Sequence, residues 1–234
     1  QYLILKSVRQ GGRAVAANSG IMRNMQDNPF SAPLPPSPFP LILREVGYAR
    51  GEAEVLTGVD LVVEAGGLIV LRGANGAGKT TLLRLLAGLI RPGSGAAAWA
   101  DGARPAQVPE RAVLIGHQDA LKPALTVAEN LDFWSGFSGL AENPWPRGSD
   151  PFSVWAHADV PVRALSAGQR RRAALTRLAF SASPLWLLDE PASALDAAAR
   201  RIVWELVAAH RRRGGAVAVA MHGEATPPDA VELT

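Results

Sequence analysis

Gly73-Ala-Asn-Gly-Ala-Gly-Lys-Thr-Thr81 decides the fold. The stretch has the spacing G-x-x-x-x-G-K-[ST], with Gly73, Gly78, Lys79 and Thr80 at the four specified positions. Glycines let successive backbone N–H groups turn inward and cradle phosphate oxygens without side-chain clash. Lys79 is then placed to reach β- and γ-phosphates, and the Thr80 hydroxyl to take a Mg²⁺ position. The flanks agree. Leu68-Ile-Val-Leu71 is a short apolar run of strand type, and residues 80–89 predict a leucine-rich helix. Strand, loop and helix in that order aim a helix N-terminus at an anion. The loop alone leaves the nucleotide chemistry open.

The surroundings narrow the choices. A chain of 234 residues, 48% hydrophobic and 19% charged, is long enough for a sizeable core. It has no cysteine, which excludes disulfides and thiolate-ligated metals and suits a reducing cytosol. The net charge of +3 gives little reason to expect a nucleic-acid partner, because the arginines come in short bursts. Arg170–Arg172 reads as a solvated helix face and Arg211–Arg213 as a helix C-terminus. No apolar run reaches the roughly 18–20 residues of a transmembrane helix, so a membrane process would need spans from other chains.

Residues 1–40 differ from the rest. Six prolines fall between Pro29 and Pro40, a composition that favours extended, unpacked chain. The segment reads as an over-extended frame with the biological start near Met22 or Met25, in preference to a functional tail. From Leu41 strands are expected at 41–43 and 59–63, with Gly47, Gly51 and Gly58 marking turns. Arg91-Pro-Gly-Ser-Gly95 stops the helix after the loop. Strands follow at 96–100 and 112–115. Thr126-Val-Ala-Glu129 is a capping box that starts a helix at Thr126.

Residues 136–161 are rich in Pro, Gly, Trp and Ser and predict a small, partly irregular helical insertion. Trp134, Trp145, Phe152 and Trp155 would form its minor core, in preference to a docking surface. Beyond it, a helix is expected from Ser166 to about Ser181, a buried strand at 184–188, a helix from Asp196 to Arg213 and a last strand at 216–221. Strands alternating with helices argue a mostly parallel sheet covered on both faces.

Asp189 follows four apolar strand residues, which puts its carboxylate at the C-terminal edge of the sheet, where it can help hold Mg²⁺. Glu190 is then positioned to orient or deprotonate a water. An Asp-Glu pair alone would pass for an ordinary helix-start or loop pair. Four further pieces stand in order around it: Gln118, Leu165-Ser-Ala-Gly-Gln169, Ser193-Ala-Leu-Asp196 and His222.

With these pieces the chain resembles the ATPase subunits of ABC transporters over about residues 41–224. The resemblance implies an α/β P-loop NTPase fold: a single ABC ATPase domain at 41–225, with a mostly parallel core sheet, an antiparallel β subdomain and a helical subdomain at about 119–165. Residues 226–234 would be a C-terminal tail. Ser166, Ala167, Gly168 and Gln169 match the family's signature, with Ala167 in place of the commoner Gly. Ser193, Ala194, Leu195 and Asp196 match its D-loop, Gln118 its Q-loop and His222 its switch histidine.

The implied site has Gly73, Ala74, Asn75, Gly76, Ala77, Gly78, Lys79, Thr80 and Thr81 binding ATP. Thr80, Gln118 and Asp189 would hold Mg²⁺, and Glu190, His222 and Gln118 would act in hydrolysis. Ser166 and Gly168 would face the nucleotide of a second subunit, since a helix N-terminus with small residues can approach a γ-phosphate closely. One loop and one signature per chain imply a head-to-tail homodimer. Where many members stack adenine on an aromatic residue, this chain has Arg50, with Tyr48 two positions earlier; a guanidinium also stacks on a base.

Within the family, residues 116–134, Leu165-Ser-Ala-Gly-Gln-Arg-Arg-Arg172 and Pro184-Leu-Trp-Leu-Leu-Asp-Glu-Pro191 resemble the heme exporter ATPases of bacterial cytochrome c maturation. That branch implies a peripheral subunit on the cytoplasmic face of the inner membrane, docked on integral membrane subunits. Its ATP hydrolysis would be coupled to heme export for c-type cytochrome biogenesis. Competing readings are an ABC ATPase for another cargo and a soluble ABC ATPase acting on nucleic acid. A P-loop kinase or GTPase would leave Ser166–Gln169 unexplained. Nothing reads as a heme site: His117, His157, His210 and His222 are accounted for as switch, loop or surface groups.

Overall fold

The computed structural model describes residues 38–138, 150–221 and 231–233. Two sheets organise them. Strands β1 (Leu41–Arg50), β2 (Ala53–Val63) and β4 (Ser94–Trp99) form an antiparallel sheet in the order β2-β1-β4. Strands β3 (Leu68–Leu71), β5 (Ala112–Ile115), β6 (Leu185–Asp189), β7 (Ala216–Ala220) and β8 (Val231–Leu233) form a parallel sheet in the order β5-β6-β7-β3-β8. Four α-helices accompany them: α1 (Lys79–Leu86), α2 (Val127–Phe137), α3 (Ala167–Thr176) and α4 (Ala197–Arg212).

The sequence pattern explains which sheet each strand joins. In β2 the buried residues Leu56, Val59, Leu61 and Val63 are separated by exposed ones, the half-buried pattern of an antiparallel sheet. Every residue of β3, β6 and β7 is buried, as parallel strands covered on both faces must be. One face of the parallel sheet packs Leu82, Leu83, Leu85 and Leu86 of α1 together with the antiparallel sheet. The other packs Val203, Leu206 and Val207 of α4.

Several boundaries differ from expectation. Gly51 makes the β1–β2 turn, whereas Gly47 and Gly58 lie inside the strands near shifts of register. The helix opened by Ser166 ends at Thr176 and tightens into a 3₁₀ turn over Arg177–Phe180. Residues 231–233, expected in a tail, form β8 and pair with Ile69–Leu71 at the sheet edge. At the other end Phe39 packs on Trp99 at 5.4 Å between ring centroids, so the last residues of the expected leader belong to the fold. Residues 1–37, with the remainder of that leader, lie outside the described residues.

Phe152 is buried, and Trp134 and Trp155 pack beside it against the same cluster as α4 and the sheet. The expected minor core is thus continuous with the main one, while Trp145 lies outside the described residues. Asp150 ties this region down by accepting from the N–H groups of Phe152, Val154 and Trp155.

Candidate nucleotide site

The central strands β3 and β6 carry the chemistry to one edge of the parallel sheet. β3 delivers the phosphate loop, and α1 starts at Lys79 directly after it. Gly78 has φ +93°, and a Cβ there would lie 2.8 Å from the Val55 carbonyl oxygen and from Leu56, so β2 packs against the loop too closely for any other residue. Lys79 is 6% exposed, and its Nζ donates to the carbonyl oxygens of Gly73 at 2.7 Å and Ala74 at 2.9 Å. Ala74, Asn75 and Gly76 are exposed, Ala77 is half-buried and Thr81 is turned into the core.

β6 ends in Asp189, 5% exposed, and its Oδ2 accepts from Thr80 Oγ1 at 2.8 Å. A hydroxyl and a carboxylate meeting from elements 109 residues apart offer hard oxygens of the kind Mg²⁺ takes. Gln118, exposed on the bend after β5, lines the same cleft as Thr80 and Asp189. That cleft has a volume of about 1550 Å³ and runs on to Trp134, Phe137 and Arg177. Glu190 follows Asp189 with φ +48°, in the left-handed region that a non-glycine residue rarely adopts. Its N–H donates to the Ala220 oxygen at 3.0 Å, and its carbonyl accepts from the Ser193 N–H at 3.1 Å.

The signature opens α3 as its spacing predicts. Ser166 Oγ accepts from the Gln169 N–H at 3.2 Å, and Gln169 Oε1 accepts from the Ser166 N–H at 2.8 Å. Gln169 Nε2 also meets His157 Nε2 at 2.9 Å. Ser166 and Ala167 are exposed and Gly168 half-buried. A Cβ on Gly168 would lie 2.9 Å from the Ala194 oxygen, so the signature helix and the D-loop of one chain touch. Ser193 and Ala194 are exposed, Ala194 with φ +60°, and Leu195 is buried. Asp196 caps α4 by accepting from the Ala199 N–H at 2.8 Å and pairs with Arg172 at 2.6 Å. The cap bond first, and Arg172 with it, hold this carboxyl below its usual range.

Two expected residues are not brought to the loop by anything described. Arg50 is exposed at the end of β1, opposite Ala53, while Tyr48 packs against the core cluster beneath the antiparallel sheet. His222 lies outside the described residues; β7 ends two positions before it, and the Met221 N–H donates to the Leu71 oxygen.

Sequence reasoning misread two basic groups, Arg171 and His210, and passed over a third, Arg177. Arg171, expected on a solvated face, is 3% exposed and bonds both the Gly116–Asp119 bend and the end of β6. Arg177 is 6% exposed, with its guanidinium carbon 3.4 Å from the Trp134 ring centroid; desolvation pushes its pKa down to about 10. His210, expected at the surface, is fully buried. Asn130 was also missed: it bonds Lys122 through both N–H and carbonyl, and the carbonyls of Leu125 and Thr126, fixing the segment before α2.

A phosphate loop, a strand-end Asp-Glu pair and a capped signature helix on a largely parallel sheet define the ATP-binding cassette class. The ABC transporter family profile matches residues 56–193. The chain is 42% identical over 209 residues to the cytochrome c biogenesis ATP-binding export protein CcmA of Rhodospirillum rubrum, covering 88% of this chain and 89% of that protein. It is 41% identical over 217 residues to the protein of that name from Paramagnetospirillum magneticum, covering 89% and 94%. Among solved structures, an ATP-binding subunit of an ABC transporter superposes with TM-score 0.71 at 25% identity, covering 79% of this chain and 80% of the other. The chain belongs to the CcmA branch of the ABC transporter ATP-binding family, whose members are ATP-hydrolysing transporter subunits.

Proposed function

We propose that this chain is the ATPase of a cytochrome c maturation heme exporter, working as a head-to-tail homodimer on integral membrane subunits at the cytoplasmic face of the inner membrane. The relatives' name, cytochrome c biogenesis ATP-binding export protein, supports the process. Among the described residues no helix is long and apolar enough to cross a membrane, so membrane subunits would supply the path. The observation that carries the site reading is the Thr80–Asp189 bond at the sheet edge, one residue from Lys79 and one from Glu190.

Lys79 and the loop amides would bind the β- and γ-phosphates, with Lys79 exchanging its bonds to the Gly73 and Ala74 carbonyls for phosphate oxygens. Thr80, Asp189 and Gln118 would hold Mg²⁺, which when bound neutralises charge on the β- and γ-oxygens. Glu190 would orient the attacking water and accept its proton as the water oxygen bonds the γ-phosphorus. The bond from that phosphorus to the bridging oxygen breaks, and ADP leaves with the electron pair. His222 would contact the γ-phosphate, and Arg50 would stack on adenine.

Ser166 and Gly168 would close over the nucleotide held by a second copy, with Ser193–Asp196 beside them. The domain of residues 41–225 would then extend to take in Phe39 at one end and β8 at the other, with a helical subdomain at about 119–165.

The test is capture of the protein from detergent-solubilised membranes of its source. Co-elution of the integral membrane subunits of cytochrome c maturation, with ATP hydrolysis retained, is the expected outcome. Stable assembly with an unrelated permease instead would overturn the heme-exporter assignment and leave the ATPase standing.

A further inference from the structure

Among the described residues near the site Arg171 makes five hydrogen bonds, and no role above uses it. Its Nη1 donates to the Gly116 oxygen at 2.7 Å and to Asp119 Oδ1 at 3.2 Å. Its Nη2 donates to the oxygens of Asp189 at 2.8 Å and Glu190 at 3.0 Å, and its Nε to the Pro191 oxygen at 3.4 Å. One planar fork therefore joins three parts of the chain: the signature helix α3 that carries it, the bend flanking Gln118, and the backbone of Asp189 to Pro191.

These partners are not interchangeable with solvent. Arg171 is 3% exposed, and a guanidinium at that depth is held only because several acceptors and the Asp119 carboxylate replace its water. Glu190 sits at φ +48°, a conformation that persists only when its surroundings over-determine it. The Arg171 bond to the Glu190 oxygen lies on the peptide that follows that φ, and the Glu190 N–H bond to Ala220 lies on the one before.

The other end of the fork reaches residues on both sides of Gln118, in the wall of the cleft. Arg177, two turns along the same segment, donates to the Asp119 carbonyl at 3.3 Å and stacks on Trp134. A shift of the Gly116–Asp119 bend must therefore pull on the group that holds the Glu190 backbone.

We propose that Arg171 is a positioning residue that couples the Gln118 bend to Glu190, setting the aim of the Glu190 carboxylate according to the state of the cleft. The proposal rests on the reading of Glu190 as the group that handles water. Its signature is selective: the hydrogen-bond partners given for Arg171 lie at Gly116, Asp119 and Asp189 to Pro191 and not on the phosphate loop, so its loss should slow turnover and spare nucleotide binding.

The test compares kcat and KM for ATP hydrolysis in the purified full chain carrying Arg171→Gln, Arg171→Lys or Asp119→Asn. For Arg171→Gln, kcat should fall about ten- to a hundredfold with KM within about twofold, since misaiming by an ångström costs that much. Arg171→Lys should recover at most part of the loss, because a point charge cannot span both sets of carbonyls. Asp119 is half-exposed, so Asp119→Asn keeps the protein testable even where the arginine variants fail to fold; its kcat should fall about threefold at unchanged KM.

Wild-type kcat in the folded arginine variants, or in Asp119→Asn where those do not fold, overturns the proposal. A rise in KM that accounts for the whole loss does so too. Glu190→Gln serves as the separate control: normal turnover in that variant removes the Glu190 reading itself, whatever the arginine variants do.

Discussion

The two edges of the parallel sheet contrast in what their buried polar groups do. At the C-terminal edge Lys79, Thr80 and Asp189 hydrogen-bond one another's neighbourhood through groups that a nucleotide or cation can take over, and Glu190 and Ala194 sit in left-handed backbone. At the N-terminal edge, where β6 begins, His210 of α4 stacks flat on Trp186 at 3.9 Å and bonds the Pro184 oxygen at 3.1 Å. Pro184 borders the far end of the cleft, but His210 and Trp186 are fully buried and do not line it. The same strand thus begins in a packed, neutral contact and ends in a polar, strained one. The lesson is a division of labour along β6: substitutions at its far end should change turnover, and those at its start should change stability.

The largest effect expected from that division is at Lys79. Lys79→Ala should reduce ATP turnover by at least about a hundredfold through loss of phosphate charge stabilisation. Its urea midpoint should stay close to wild type, because the Gly73 and Ala74 carbonyls it leaves belong to an exposed loop. A variant that lost stability in proportion to activity would break the contrast.

Gly168→Ala comes next. The added Cβ would press on the Ala194 oxygen 2.9 Å away and shift the D-loop against the signature. Turnover should drop about tenfold, whereas equilibrium binding of nucleotide to the isolated subunit, followed by fluorescence titration, should not change. Weakened binding in the single subunit would place the signature in the same half-site as Lys79 and sink the two-copy arrangement.

How much of this was legible in sequence followed from how local each signal is. The phosphate loop, the capping box at Thr126, the helix start at Ser166 and the strand-end Asp189 are written in consecutive residues, and each appears where its spacing put it. Arg171 was not legible because Ala173, Ala174, Leu175 and Thr176 are all buried, leaving α3 no apolar stripe to mark which arginine faces inward. β8 is three residues with a central Glu, too short to carry a period; only its pairing with β3 makes it a strand. His210 was hidden by the arginines after it, although Val203, Leu206, Val207 and His210 follow the helical interval of a buried stripe. The interval was there, and the charge of its neighbours outweighed it.

That buried histidine gives the smallest and most specific prediction. Desolvation pushes the His210 pKa from 6.5 down to about 3, with the nearby Arg213 cation adding to the shift and the Pro184 carbonyl opposing it. A carbonyl only accepts, so Nε2 carries the proton and the ring is neutral. Above pH 6.5 both folded and unfolded states hold a neutral ring, and the group costs nothing. Below pH 6.5 the unfolded chain takes up a proton that the folded one refuses until about pH 3, so stability falls as pH falls through that window. Between pH 7.5 and 5.5 the loss from this one group should be about 1 kcal/mol. Urea titrations at the two pH values measure it. His210→Phe keeps a ring on Trp186, gives up the bond to Pro184 at a cost of about 1 kcal/mol at either pH, and should remove that share of the pH slope. Its kcat per folded molecule at pH 7.5 should match wild type, because the change lies at the packed end of β6. An unchanged slope would assign the pH sensitivity to another group, and a fall in kcat would show that the two ends of β6 are coupled.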